Sequence, residues 1–278
     1  MLVGERASGI QIKNRSHLAA MRAAGRLSAE CLAHVVSQVQ PGMSTLEIDD
    51  GVRDFARRHG ATSATLGYKG FPRNVCTSIN EVICHGIPDK KQLLREGDIV
   101  GIDVALIFEG FHGDNAATVG VGDIDEPARA LLCATLEAQR RAVAAVAPGA
   151  RLGDIGHAIQ SWVEPLGFSV VRDFVGHGVG RRFHEEPQVL HYGEPGRGLR
   201  LRPGLTFTIE PMINAGAPDI EILEDDWTAV TADRRLSAQY EHTLEVTEDG
   251  VRVLTVQNDE GVWEPPGRWT PPGYAPSD

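Results

Sequence analysis

The chain has 278 residues, of which 42% are hydrophobic, and carries a net charge of −11. This length and apolar content suffice for one sizeable core or for two closely packed halves. The acidic balance argues against general nucleic-acid binding and a DNA partner. No apolar run approaches the roughly 20 residues that span a bilayer, and residues 1–10 do not resemble a signal peptide. We therefore expect a cytoplasmic protein without membrane contact, whose four cysteines stay reduced.

Four helices and several strands are predicted in chain order. Helices begin at capping residues and close at Pro-Gly turns, and strands are β-branched runs bounded by Gly or Pro. Ser16 is the expected cap of the first helix, and Ser44 or Thr45 starts the second. The first two predicted helices end near residues 39 and 60, and the next two span about residues 125–146 and 152–166. The predicted strands span residues 98–107, 111–121, 205–213 and 242–246.

An internal repeat relates the two parts of the chain. The turn Val39-Gln-Pro-Gly42 recurs 107 residues later as Val146-Ala-Pro-Gly149, and a Leu-Arg-x-Gly segment at 94–97 recurs at 201–204 with the same shift. In this register Asp103 superimposes on Glu210. The repeat predicts two α+β halves, residues 11–122 and 123–257, related by a pseudo-twofold axis. A cleft between them is a natural binding site.

The two ends of the chain differ from this pattern. Residues 1–10 lack periodicity, and residues 258–278 are rich in Pro and Gly. We expect both to be tails outside a single catalytic domain that spans residues 11–257. The C-terminal tail is interpreted as an extended surface segment, with a docking motif for a partner as the alternative.

Two aspartates are predicted to face the same way on one hairpin. Glu109-Gly110 has the character of a two-residue turn, which pairs Ala105 with Asp114 and makes Asp103 and Asp114 diagonal neighbours. Diagonal positions are about 7–8 Å apart, within joint reach of a cation. Two buried carboxylates repel each other unless they share a proton or bind metal. The alternative is an ordinary hairpin with two solvated aspartates.

Five further polar residues stand in apolar or Gly-rich segments. His177 lies between two glycines and His184 follows seven residues later, Glu210 ends one apolar strand, Glu241 begins another, and His85 occupies a turn. A bare carboxylate among apolar neighbours needs a cation or a proton. Two Asp, two Glu and one His form an oxygen-rich set. That set suits a pair of Co, Mn, Fe(II) or Zn ions rather than a structural zinc bound by cysteines.

These motifs resemble those of the type I, bacterial-like methionine aminopeptidases over about residues 10–256. The resemblance implies the pita-bread fold, an α+β fold with two pseudo-twofold-related halves around a curved antiparallel sheet. It also implies a monomeric metallopeptidase that removes the initiator methionine from nascent polypeptides, and it leaves contact with the ribosome open. The matching strings are NVCTSINEVICHGIP, GDIVGIDVALIFEGFHGD, GHGVGRRFHEEP, FTIEPM, LSAQYEHTLEVT and the lone Trp227.

The resemblance also implies a role for each motif residue. Two divalent ions per chain would be bridged by Asp114 and Glu241, and Glu210 would also act as general base. His85 and His184 would flank the scissile bond as hydrogen-bond donors. The implied metal ligands are Asp103, Asp114, His177, Glu210 and Glu241, and the implied substrate pocket consists of Tyr68, Phe71, Cys76, His85, Phe183, His184 and Trp227.

Two positions depart from the family pattern, and two other functions stay open. Phe71 stands where the family often has Tyr, and Thr65 where bacterial members often have Cys. Both changes affect specificity for methionine rather than the reaction. One alternative is a prolidase or X-Pro aminopeptidase of the same fold, although those carry a large N-terminal domain that this sequence lacks. The other is a non-catalytic pita-bread binding protein, although such proteins lose metal ligands that are present here.

Overall fold

The computed structural model describes residues 9–256, so both predicted tails lie wholly or almost wholly outside the described residues. Four helices form near the predicted positions. The first is capped by Asn14, whose side chain accepts the backbone N–H of His17; the predicted cap Ser16 is wrong, because its hydroxyl donates to Asn14. Ser44 caps the second helix with a capping box. The helices are α1 (Arg15–Val36), α2 (Thr45–Arg58), α3 (Glu126–Ala144) and α4 (Leu152–Val163), the last followed by a 3-10 turn Glu164–Leu166.

Short antiparallel strands fill the space between the helices. They form one sheet of five strands, one of four and two of three. The strands are β1 (Thr62–Ser63), β2 (Cys76–Ile79), β3 (Val82–Cys84), β4 (Ile99–Phe108), β5 (Phe111–Gly120), β6 (Ser169–Val170), β7 (Gly176–Gly178), β8 (Glu185–Val189), β9 (Thr206–Ile209), β10 (Met212–Asn214), β11 (Ile220–Ile222), β12 (Ala229–Thr231), β13 (Ser237–Gln239), β14 (His242–Val246) and β15 (Val251–Val253).

Backbone pairing repeats with the shift found in the sequence. Thr62 pairs with Ile107, and 107 residues later Ser169 pairs with Asn214. An isolated bridge between residues 44 and 93 likewise recurs between residues 151 and 200. The two halves therefore share one pattern of helices and strand pairs, as the sequence repeat predicts.

The second half breaks a strand that the first half keeps whole. Residues 205–213 were predicted as one strand, but they divide into β9 and β10 with Glu210 and Pro211 between them. The prediction of a continuous strand is wrong because proline has no N–H to donate to a ladder. The pairing register nevertheless continues across the break: Ile209 pairs with His242 and Met212 with Gln239, which leaves Glu210 opposite Glu241.

One continuous core holds the halves together. Helix α1 packs on β4 and β5, and α3 packs on α4 and on β9, β10 and β13. Fully buried apolar side chains come from both halves, including Ile102, Leu136 and Phe207. Among residues 9–256, no helix combines the length and the apolar character that crossing a membrane requires.

Candidate active site

The first half contributes two aspartates from the β4–β5 hairpin. Ala105 pairs with Asp114, as predicted, and Asp103 pairs with Ala116. Positive φ angles of 51° at Glu109 and 77° for the following glycine make the tight turn that sets this register. The hairpin therefore directs both carboxylates to one face.

A threonine from the second half connects this hairpin to β14. The Thr243 hydroxyl donates to the Asp114 carbonyl oxygen at 2.8 Å and accepts the Asp114 backbone N–H at 3.2 Å. The backbone that carries Asp114 is therefore fixed to the strand that follows Glu241.

The second half contributes His177, Glu210 and Glu241. His177 lies at the centre of β7, while the two glutamates lie where neighbouring strands are interrupted. The Thr208 hydroxyl donates to Glu210 Oε1 at 2.7 Å and accepts the backbone N–H of His177 at 3.0 Å. The Glu241 N–H donates to the carbonyl of Ala116 in the first half at 2.8 Å. Individual hydrogen bonds therefore place these side chains.

The five residues meet in one cavity. His177 Nε2 lies 3.5 Å from Asp114 Oδ2 and 3.7 Å from Glu210 Oε1. Asp114, His177 and Glu241 each offer one atom that could bind a metal, and these three atoms lie within 4.8 Å of one another. Asp103 lines the same cavity. The His177 Nδ1 is 3.0 Å from the carbonyl oxygen of Gly178, so an Nδ1–H donates there and leaves Nε2 free toward the carboxylates.

The electrostatics of this cluster favour a cation. Burial, followed by the charge of Asp114, raises the pKa of Asp103, and burial and the same neighbour raise that of Glu241. Burial alone would lower the pKa of His177, but its hydrogen bond to Asp114 and the charges of Glu210 and Asp114 raise it to about 9. Asp103, Glu210, Glu241 and His177 thus hold their protons more tightly than usual in the absence of a metal. This oxygen-rich set fits divalent ions, which would replace those protons.

Aromatic rings form the walls of the cavity, whose volume is about 260 Å³. Phe71 and Trp227 meet edge to face with ring centroids 5.2 Å apart, and Tyr68 meets Phe183 in the same way at 5.0 Å. Cys76 also lines the cavity. These apolar walls suit a thioether side chain.

Two histidines stand between the pocket walls and the carboxylates. The His184 ring lies 4.0 Å from that of His177 and stacks on Tyr68 at 5.1 Å. His85 meets Phe174 edge to face at 5.3 Å. Burial, and then the positive charge of His177, lower the pKa of His184 to about 3, and burial also lowers that of His85. Both imidazoles are neutral near pH 7 and can donate a hydrogen bond to a substrate.

The structure thus brings every predicted site residue to one cavity, and it adds others that the sequence reasoning did not assign. Lys69 and Asp173 adjoin motif residues, so proximity was their only signal. Thr208 and Gln239 contact Glu210 and appeared in the sequence as ordinary polar positions in strands. Thr65, already noted as a departure from the family pattern, lines the cavity, and the additional lining residues are Lys69, Asp173, Phe174, Val175 and Met212.

Known proteins share this arrangement along nearly the whole chain. Residues 19–248 match metallopeptidase family M24. Methionine aminopeptidase A of Synechocystis sp. is 53% identical over 89% of this chain and 98% of its own length. The methionine aminopeptidase of Escherichia coli strain K12 is 50% identical over 91% of this chain and 96% of its own. This chain belongs to the methionine aminopeptidases of metallopeptidase family M24.

Solved structures agree with this membership. The crystal structure of methionine aminopeptidase from Rickettsia prowazekii covers 89% of this chain and 100% of that one, with a TM-score of 0.87 and 47% identity. The prolidase from Pyrococcus furiosus has a TM-score of 0.72 at 21% identity and covers 89% of this chain and 66% of that one, which shows a shared fold alone. The predicted pita-bread fold and the predicted metallopeptidase class are confirmed. The roles assigned to individual residues stay predictions.

Proposed function

We propose that this enzyme removes the initiator methionine from nascent polypeptides by hydrolysis, with two divalent metal ions per chain. The observation that carries the proposal is the convergence of four carboxylates and His177 at one end of an aromatic-walled pocket. The proposed metal ligands are Asp103, Asp114, His177, Glu210 and Glu241. The family resemblance implies that Asp114 and Glu241 would be shared by the two ions; the two residues come from opposite halves, and each offers a ligand atom within 4.8 Å of one from His177.

Bound ions would supply Lewis acidity toward the scissile carbonyl and would lower the pKa of a water molecule toward neutrality. Glu210 accepts the proton of the attacking water. In the metal-free protein burial raises the pKa of Glu210 to about 7, so this buried carboxylate can hold a proton. Thr208 holds one oxygen of this carboxylate and leaves the other within 3.5 Å of the Gln239 amide.

The two neutral histidines act on the peptide itself. His184 donates a hydrogen bond to the carbonyl oxygen as negative charge develops there, and His85 assists the departing amide nitrogen. Burial lowers the pKa of both imidazoles, so each is neutral near pH 7 and acts as a hydrogen-bond donor through its single N–H. Their ring contacts with Tyr68 and Phe174 restrict the orientation of each imidazole plane.

The pocket selects the first residue and restricts the second. Tyr68, Phe71, Cys76, Phe183 and Trp227 surround the methionine side chain with apolar surface. We expect the second residue to lie beside the two histidines, in a site that accepts only a small side chain such as Gly, Ala or Ser. The presence of Phe71 and Thr65 in the lining adjusts the fit of the methionine rather than the chemistry.

The proposed location and partners rest on charge and composition, and the proposed oligomeric state rests on the family resemblance. We propose a monomeric enzyme that acts on nascent chains in the cytoplasm, without DNA or a membrane as partner. The segment of residues 215–226 carries five acidic residues and no basic one, so any contact with ribosomal RNA uses another surface.

Release of methionine from Met-Ala-Ser, Met-Leu-Ser and Met-Pro tests this function. The protein is first stripped of metal and then supplied with Mn²⁺, Co²⁺ or Zn²⁺. We expect rapid release from Met-Ala-Ser and little from Met-Leu-Ser. Equal rates for both tripeptides would contradict the size restriction. Hydrolysis of Met-Pro alone would indicate a prolidase, and no hydrolysis of any peptide with any metal would indicate a non-catalytic binding protein.

A further inference from the structure

His191 lies directly behind Glu210 and outside the residues that line the cavity. It follows β8, and its side chain is completely buried, with 0% exposure. Its Nε2 lies 3.2 Å from the backbone nitrogen of Glu210 and accepts that N–H. The proposed hydrolysis gives this imidazole no direct part.

The Glu210 N–H needs such an acceptor because of where the strand breaks. The ladder between β9 and β14 ends at Ile209, and among the described residues no backbone carbonyl accepts the Glu210 N–H. A buried N–H without an acceptor is strongly disfavoured. His191 therefore supplies from a side chain the bond that a regular strand would supply from its neighbour.

Packing alone gives no reason for a histidine at this position. Nε2 accepts a hydrogen bond only when it carries no proton, so the proton resides on Nδ1. Among the described protein groups, Nδ1 has no hydrogen-bond partner. A phenylalanine would fill a similar space without burying that unpaired donor. The acceptor at Nε2 is the property that distinguishes histidine here.

We propose that His191 is a positioning residue that holds the backbone of Glu210 so that its carboxylate reaches the metal cluster. This inference rests on the role proposed above for Glu210. Two contacts then fix Glu210 from opposite ends: His191 holds the backbone N–H, and Thr208 holds Oε1 at 2.7 Å. Loss of the backbone contact would allow the residue to rotate about the break, away from His177.

Three substitutions separate positioning from packing. In His191→Gln, the side-chain amide occupies the place of the ε positions of the ring and restores an acceptor. In His191→Asn, the amide reaches only the δ positions and cannot restore it. In His191→Phe, the shape is kept and the acceptor is removed. The unpaired Nδ1–H of His191 disappears, but the N–H of Glu210 loses its acceptor and becomes unpaired instead. Each variant is measured for Mn²⁺ affinity by calorimetry, for amide exchange at Glu210, and for kcat and KM with Met-Ala-Ser.

We expect the Asn and Phe variants to lose about 10- to 100-fold in Mn²⁺ affinity or kcat, the usual effect of residues that orient a metal ligand. Their KM should stay close to that of the unaltered enzyme, and exchange at Glu210 should accelerate. The Gln variant should stay close to the unaltered enzyme in every measurement.

Unchanged Mn²⁺ affinity, kcat and exchange in both the Asn and Phe variants would overturn the proposal. Equal impairment of the Gln and Asn variants would overturn it as well, because packing would then be the cause. If the Phe variant does not fold, the comparison of Gln with Asn still decides. If the unaltered protein binds Mn²⁺ but releases no methionine, the proposed function fails, while Mn²⁺ affinity and amide exchange still test His191.

Discussion

The two halves of the molecule hold equivalent carboxylates in different ways. Asp103 stands within the unbroken strand β4, which pairs with β5 along ten residues and with β2 on its other edge. Glu210, 107 residues later, stands in a gap between two short strands. In the first half a regular ladder sets the direction of the side chain, and in the second half separate hydrogen bonds from Thr208 and His191 set it.

This difference teaches where the site is robust and where it is sensitive. A ladder distributes the constraint over many backbone bonds, so one change in the first half leaves the backbone in place. In the second half, Glu210 is held by a few hydrogen bonds, each from a single side chain. Substitutions there should alter the site more than their distance from the metals suggests.

The largest expected effect is that of Glu210→Gln. The change keeps the shape and removes the charge, so both proton acceptance and metal binding suffer. We expect kcat to fall by about 10²- to 10⁴-fold, the range that general acid–base groups contribute. Glu245→Gln is the control, because Glu245 is also buried but is paired with Arg22 and Arg252 away from the cavity. Similar activity in both variants would contradict the role given to Glu210.

A smaller but substantial effect is expected at the buried ion pair beside His184. Lys13 Nζ lies 2.6 Å from Glu185 Oε2, and both side chains are only 5% exposed. Lys13→Met would leave the carboxylate buried without its cation, which typically costs about 3–5 kcal/mol of unfolding free energy. The matched control is Arg53→Met, which removes the exposed ion pairs of Arg53 with Asp50 and Asp54. Exposed pairs of this kind contribute at most about 1 kcal/mol to the free energy of unfolding. Urea denaturation measures both. An equal loss of unfolding free energy in the two variants would show that the buried pair stabilises the fold no more than the exposed one.

The next effect concerns a first-half residue that acts on the substrate. His85→Ala should lower kcat by about 100-fold through loss of acid–base assistance, with metal content unchanged. His85 has a φ of 58°, a region that asparagine tolerates better than alanine. His85→Asn is therefore the control for backbone strain, and it should lose activity to a similar degree. Loss of metal in either variant would make His85 a ligand instead.

The smallest effect is a pH dependence of the metal-free protein. The raised pKa values of Asp103, Glu241 and His177 mean that the folded chain holds protons that the unfolded chain releases. These groups stabilise the fold below their unfolded pKa values, and that contribution is lost as the pH rises toward their folded values. The lowered pKa of His184 acts in the opposite sense, but only as the pH falls from about 6.5 toward 3.

Between pH 6.5 and 9 the first set changes, by at most about 1.4 kcal/mol per group and pH unit. Glu210, whose pKa burial raises to about 7, changes in the same sense at the lower end of this range. The Tm of the protein kept metal-free by a chelator should therefore decline by several degrees over this range. The increase in Tm that Mn²⁺ causes should become larger over the same range. Scanning calorimetry at three pH values measures both. A flat or rising Tm of the chelated protein would contradict the crowding of carboxylates in the cleft.

The regular half could be predicted from the sequence more completely than the broken one. The Glu109-Gly110 turn sets the hairpin register, and that register fixes the relation of Asp103 to Asp114. Pro-Gly turns at a constant shift reveal the repeat. These features depend on neighbours in the sequence, so local chemistry is sufficient to infer them.

The break at Glu210 was missed, although Pro211 is a local signal against a continuous strand. His191 was missed because a single histidine beside two apolar residues, Val189 and Leu190, is usually an ordinary core residue. Its importance depends on contact with a residue 19 positions away. Asn14 was missed because Ser16 offered an equally good cap two residues later.

The central claim is that both halves jointly hold two divalent ions in the cleft between them. Anomalous diffraction at the Mn edge, on crystals of the Mn²⁺-loaded protein, tests it most directly. We predict two peaks about 3.5–4 Å apart, contacted by Asp103 and Asp114 from the first half and by His177, Glu210 and Glu241 from the second. Peaks bound by residues of one half alone, or located outside the cavity, would contradict the account.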